Sequence, residues 1–211
     1  MKKYSLTKAF ISMIIFIAAM VLFPAVISFT AEYPDPLIKH YSGRDLVYWK
    51  INQVTISPVF DEPETSLVEL YFQKPSELFL KSPDQQVYAV GDTIWTYLIK
   101  HKQIQKSIGS GIFNPFDYID SSQTYYRVED TDNNSVKLRG AEENMEPDSL
   151  TIDFNPSGEI VRLEYLDANE NNVIMEFLEE SFNKNIPKDN FKDVPPEGVE
   201  IIDLSFGNNN E

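Results

Sequence analysis

The sequence predicts a mainly β protein, an antiparallel meander closed or nearly closed on itself. Three features predict it. Apolar and aromatic runs of strand length follow one another from Leu46 almost to the end of the 211 residues. The breaks between them are made of turn residues, as at Lys74-Pro75, Gly91-Asp92, Asp132-Asn133-Asn134 and Asn155-Pro156-Ser157-Gly158. The connections are mostly short, and short connections join antiparallel neighbours.

The chain opens differently. Lys2, Lys3 and Lys8 precede an apolar run from Ala9 to Ala31 whose only polar members are Ser12, Ser28 and Thr30. A basic stretch followed by such a run has the form of a secretory signal. Val26 and Ser28 at −3 and −1 favour cleavage after Ser28, whereas cleavage after Ala31 would set Phe29 at −3. The run is also long enough to span a bilayer, so an uncleaved anchor is the alternative. Residues 1–31 are therefore expected to be a leader, 32–204 an exported domain, and 205–211 a disordered tail.

After the leader, Asp35–Tyr41 predicts about two turns of helix, with Asp35 as N-cap, Pro36 at the first helical position and Ser42-Gly43 as its end. Strands are predicted near 45–56, 66–73, 77–82, 85–90, 93–99, 102–108, 123–129, 135–139, 149–154, 159–166, 172–179 and 199–203. Two longer links, Gly109–Ser122 and Asn183–Pro196, leave room for a short helix each. Within the first, Asn114 to Ile119 has the form of a capped helical turn.

Composition excludes several functions. Acidic residues number 33 against 18 basic ones, for a net charge of −15, and the leader carries only lysines. A domain so acidic lacks the basic footprint that nucleic acid or anionic lipid requires, so no nucleic-acid partner is expected. Cysteine is absent, which removes a thiol nucleophile and a lipid-modified N-terminal cysteine. His40 and His101 stand far apart and are expected to be exposed, and no catalytic triad, metal ligand set or cofactor fingerprint accompanies them. The pairs Glu142-Glu143 and Glu179-Glu180 fit a solvated face. Residues 130–134 and 167–171 match half of a calcium loop, but without the sixth-position glycine and closing glutamate they are expected to be hairpin turns.

Residues 87–98 pose a specific problem. A two-residue Gly91-Asp92 turn pairs Val90 with Thr93, Ala89 with Ile94, Tyr88 with Trp95 and Val87 with Thr96. One face then carries Tyr88, Val90, Trp95 and Tyr97, the other Val87, Ala89, Ile94 and Leu98, and neither is polar. The same holds where Leu70 and Phe72 oppose Tyr71, where Leu78 and Leu80 oppose Phe79, and where Val47 and Trp49 oppose Leu46 and Tyr48. Strands 149–154 and 159–166 alternate as a sheet with one wet face does. Two-sided strands are covered by a second layer, or curve around an apolar ligand.

The run from Tyr71 to Ser107 resembles the outer-membrane lipoprotein carrier protein (LolA) family. The matching positions are Lys74-Pro75, Leu78, Leu80, Gly91, Trp95 and Tyr97. Near the C-terminus, Phe191, Pro195-Pro196, Gly198 and Val199 resemble the family's closing motif, and residues 114–119 occupy the place of its short proline-led segment. The resemblance implies an open antiparallel barrel of about eleven strands with a short helical lid. It implies a monomeric periplasmic chaperone, not an enzyme, that uses no cofactor. Such a protein receives acylated lipoproteins from an inner-membrane ABC transporter, shields their acyl chains in an apolar cavity, and yields them to an outer-membrane acceptor. Trp49, Leu70, Phe72, Leu78, Leu80 and Trp95 are the residues expected to meet the acyl chains. Lys74 stands where the family has a lid-latching arginine, a single ammonium in place of a guanidinium fork.

Two other functions fit the same pattern. An envelope scaffold or sensor domain of this fold would bind protein or another lipid and have a filled interior. A hydrolase acting on envelope polymers would carry two close carboxylates on a concave surface.

Overall fold

A computed structural model describes residues 33–60, 62–109, 126–141, 147–188, 190–193 and 195–205. The expected leader, the turn at 114–119 and the tail from 206 lie outside the described residues. Within them the chain forms a single short helix, α1 (Asp35–Tyr41), and one sheet of twelve strands. The strands are β1 (Leu46–Ile56), β2 (Glu64–Gln73), β3 (Glu77–Lys81), β4 (Gln85–Val90), β5 (Thr93–Leu98) and β6 (Gln103–Ile108). They continue as β7 (Tyr126–Asp132), β8 (Ser135–Gly140), β9 (Ser149–Phe154), β10 (Ile160–Leu166), β11 (Asn172–Ser181) and β12 (Glu200–Asp203).

The spatial order is β12-β6-β5-β4-β3-β2-β1-β11-β10-β9-β8-β7. Two meanders, β1 to β6 and β7 to β11, are thus joined along a β1–β11 seam. The outermost strands β7 and β12 do not pair, so hydrogen bonds leave the sheet open. The hairpin register deduced for residues 87–98 is the one found, with Gly91 at φ +61° in its turn. The last strand departs from the expected antiparallel pattern. After β11 the chain returns to the Lys102 end of β6, where the Glu200 N–H donates to the Lys102 carbonyl at 3.0 Å, and the strand added there runs parallel.

The helix begins one residue earlier than its sequence suggests. Pro34 is the cap, Asp35 the first helical residue, and the Pro34 carbonyl accepts the Ile38 N–H at 3.2 Å. Asp35 makes an exposed ion pair with Lys39 at 3.3 Å, a contact of small worth in water. At the other end the Ser42 N–H donates to the Ile38 carbonyl at 2.9 Å, and Gly43 takes φ +69°, which suits glycine.

Side chains pack on both faces of the sheet. The larger cluster runs along one face: Val47, Trp49 and Ile51 of β1, Val68, Leu70 and Phe72 of β2, then the inward residues of β8 to β11, with Leu37 and Tyr41 of α1 against them. A helix of seven residues is too small to bury so many side chains, so the sheet curls around this face and makes it the inner, concave one. The smaller cluster lies on the opposite face of β3 to β6 and joins Phe79, Tyr88, Tyr97 and Ile104 to Phe191, with Ile186 and Val199 beside them. The segment between β11 and β12 is therefore the second layer over the two-sided strands.

An aromatic file marks that outer face. Tyr48, Tyr71, Phe79, Tyr88 and Trp95 are successive cross-strand partners, with ring centroids 4.8, 5.9, 6.3 and 6.3 Å apart. The returning segment sets Lys184 3.8 Å from the Tyr48 ring centroid and Lys192 4.5 Å from that of Tyr88. Ammonium groups so placed are attracted by the ring faces.

Candidate functional site

The concave face is built from register. Trp49 of β1 stands opposite Leu70, Leu70 opposite Leu80, Leu80 opposite Val87 and Val87 opposite Thr96. The adjoining row runs Val47, Phe72, Leu78, Ala89 and Ile94. Five of the six residues expected to meet acyl chains, Trp49, Leu70, Phe72, Leu78 and Leu80, therefore share one face. Trp95 lies on the other face, in the aromatic file, where Lys192 approaches its ring to 5.2 Å.

Trp49, Leu70, Phe72 and Leu78 retain 0%, 2%, 3% and 3% of their surface, and Leu80 is half-buried. Lys74, the expected latch, sits in the exposed turn after β2, where its backbone N–H donates to the Asp45 carbonyl at 2.8 Å.

Polar chemistry concentrates at Glu180 near the end of β11. Its side chain is only 6% exposed, and a buried carboxylate is tolerated only when hydrogen-bonded. Oε2 accepts the Tyr41 hydroxyl at 2.5 Å and the Trp49 indole N–H at 2.8 Å, while Oε1 lies 2.5 Å from Nε2 of His40. The Tyr41 oxygen in turn accepts the Ile160 N–H at 3.1 Å. Burial first, then the Glu180 charge, pushes the Tyr41 phenol well above its ordinary value and keeps it a donor.

Two residues of α1 are thereby tied to β1, β10 and β11. Gly158 allows the fit: a Cβ built there would fall 2.0 Å from the Pro36 carbonyl oxygen. Phe182 adds an apolar contact beside the helix, 5.4 Å from the His40 ring, with the Arg44 guanidinium 4.3 Å from its centroid.

Sequence reasoning placed His40 and Glu180 in solvent, and both are wrong for a local reason. Val173, Met175 and Phe177 face inward, so strict alternation would turn Glu180 outward. The register between Ile51 and Lys50 skips Leu178, pairing Ile51 with Phe177 but Lys50 with Glu179 and Trp49 with Glu180. That bulge inverts the parity and turns Glu180 inward. His40 follows because α1 docks by the side that carries Leu37 and Tyr41.

The site is thus an apolar concave wall under a fastened helix, in an open β-sheet. Among the described residues no cluster of three or more His, Asp or Glu side chains suits a metal ion, and no helix is long and apolar enough to cross a membrane. The partners of Glu180 are a phenol, an indole and an imidazole, not a second acid.

No known family model and no curated protein matches the sequence. Solved structures similar in strand arrangement include an uncharacterised conserved protein from Thermus thermophilus, 12% identical with a TM-score of 0.49, over 80% of this chain and 95% of that one. A LolA superfamily protein from Nitrosomonas europaea is 10% identical with a TM-score of 0.42, over 72% and 92%. A domain named for outer membrane lipoprotein sorting, from Vibrio parahaemolyticus, is 12% identical with a TM-score of 0.44, over 72% and 92%. None is near enough to lend this chain its function.

Proposed function

We propose that this protein is a periplasmic carrier that shields the acyl chains of lipoproteins against its concave face between the inner and outer membranes. One observation supports the reading most: a continuous apolar cluster extends over the inner face from β5 through the β1–β11 seam to β7, with a single short helix held against it by Leu37, Tyr41 and the contacts of Glu180. Each methylene moved from water onto such a surface contributes about 0.8 kcal/mol, so apolar area alone can hold an acyl chain. The carrier performs no reaction and needs no cofactor. It takes acylated lipoproteins from an inner-membrane ABC transporter, yields them to an outer-membrane acceptor and works as a monomer. Leu70, Phe72, Leu78 and Leu80 meet the chains once α1 moves, Trp49 lies at the helix end, and Lys74 guides the closing helix. Trp95, on the outer face, is better suited to holding the returning segment.

Native mass spectrometry of protein taken from the periplasm tests this, with and without a co-expressed lipoprotein. A mass shift equal to one acylated lipoprotein is expected. A clean apo mass in both samples, with no protection of the lipoprotein from aggregation, would sink the reading.

A second reading is favoured by the packing itself. Trp49, Ile152 and Leu163 retain no exposed surface, as in a filled interior. An envelope scaffold or sensor domain of this fold would be built so. It predicts no uptake of a hydrophobic fluorophore, where the carrier predicts uptake.

A further inference from the structure

The concave face is not uniformly sealed. Around the seam and β8 to β10, Val47, Trp49, Val136, Leu138, Ile152 and Leu163 are wholly buried. Across β3 to β5 the inward side chains of Leu80, Val87, Ile94, Thr96 and Leu98 keep part of their surface. A ligand meets first what water already reaches.

The register carries these rows on to β6. There Ser107 stands opposite Ile94, Gln105 opposite Thr96 and Gln103 opposite Leu98, all three half-buried. The Gln105 amide nitrogen donates to the Gln103 amide oxygen at 2.8 Å. That bond does not use the Gln103 NH₂ group or the Gln105 carbonyl, one donor and one acceptor. With Thr96 and Ser107 they make a polar margin without charge.

The absence of charge selects a ligand. An acyl carboxylate or a phosphate head calls for a cation. The inward positions of β3 to β6 from Leu78 to Ser107 hold none, and a chain with net charge −15 repels anions. Lys106, the basic residue of β6, turns to the other face and pairs with Asp203 at 3.2 Å. An ester or amide group, neutral and hydrogen-bonding, fits both the margin and the apolar wall beside it.

We propose that the half-open wall of β3 to β5 is the subsite for an acyl chain, and that the Thr96–Gln103–Gln105–Ser107 margin binds the uncharged ester or amide joining that chain to its carrier. The proposal rests on the carrier reading and names the part of the concave face that an acyl chain meets first.

The test measures binding of three single-chain probes to the full chain: a monoacylglycerol, a neutral monoacylglyceryl-cysteine peptide, and the free fatty acid with the same acyl chain. Both ester probes are expected to bind at least about tenfold more tightly than the fatty acid. The double variant Gln103→Leu, Gln105→Leu should weaken ester binding by about fivefold without weakening the fatty acid. Ile94→Asp should abolish binding of all three, and Leu67→Asp on the outer face should change none. Tighter binding of the peptide assigns the ester to acylated protein, tighter binding of the monoacylglycerol assigns it to glycerolipid, and either order sustains the proposal. Ester binding that survives Ile94→Asp, or a fatty acid bound as tightly as the esters, overturns this subsite and leaves the carrier reading standing. Failure of all three probes to bind the unmodified chain overturns both.

Discussion

Nε2 of His40 and Oε1 of Glu180 lie 2.5 Å apart although 140 residues separate them in the chain. The contact ties the first described element to the last long strand, beside the apolar face. The other oxygen of Glu180 holds Tyr41 and Trp49, so one carboxylate organises helix and seam together.

Glu180→Gln should therefore cost about 2–3 kcal/mol, because a side-chain amide turns a donor toward a group that needs an acceptor. The midpoint of urea unfolding should fall, and amide exchange within residues 35–41 should accelerate beyond the global change. An unaltered midpoint would show that the carboxylate does not organise helix and seam.

Two glycines separate close approach from backbone strain. Gly158→Ala places a methyl 2.0 Å from the Pro36 carbonyl oxygen at φ +89°, and should cost about 3 kcal/mol while displacing α1. Gly43→Ala meets nothing within 4 Å at φ +69° and should cost only about 1 kcal/mol. Thermal unfolding of the two variants checks the ordering, and equal losses would contradict it.

Phe191→Ala removes the anchor of the returning segment and should cost about 3–4 kcal/mol. The chain has two tryptophans, and Trp49 is fully buried, so the accompanying red shift of emission should come from Trp95. In a Trp95→Phe background the shift should vanish. If it persists, the segment does not cover the aromatic file.

Alkali should loosen the fold through buried phenols. Burial, then the charge of Asp167, pushes Tyr165 up to about 12, and burial raises Tyr41 as well. A raised folded value contributes stability that is complete below the unfolded value near 10 and is lost as pH rises through the folded one. Phenolate absorbance should thus lag for these two, and for Tyr48, Tyr71 and Tyr88, which burial also raises, among the eleven tyrosines, and unfolding midpoints should decline above about pH 10. Simultaneous titration of all tyrosines in folded protein would refute this.

Much of this arrangement was legible in the residues. The Gly91-Asp92 turn sets the register of its hairpin, and the turn clusters bound each strand within a few residues. What escaped were facts that local pattern does not carry. A parallel β12 depends on where the returning segment ends. Glu180 faces inward because a bulge at Leu178 inverts its parity. Trp95 shares its hairpin with Ile94 yet lies on the opposite face, and with both faces apolar only the position of Phe191 decides which is covered.

The β1–β11 seam bears on the order in which the chain can assemble. Synthesis proceeds from the N-terminus, so β1 to β6 are complete long before β11 exists. Until residue 181 has been made, β1 is a free edge in what will become the middle of the sheet, with Trp49 and Ile51 uncovered beside it. The nascent half-sheet is thus the aggregation-prone species on the path to this fold.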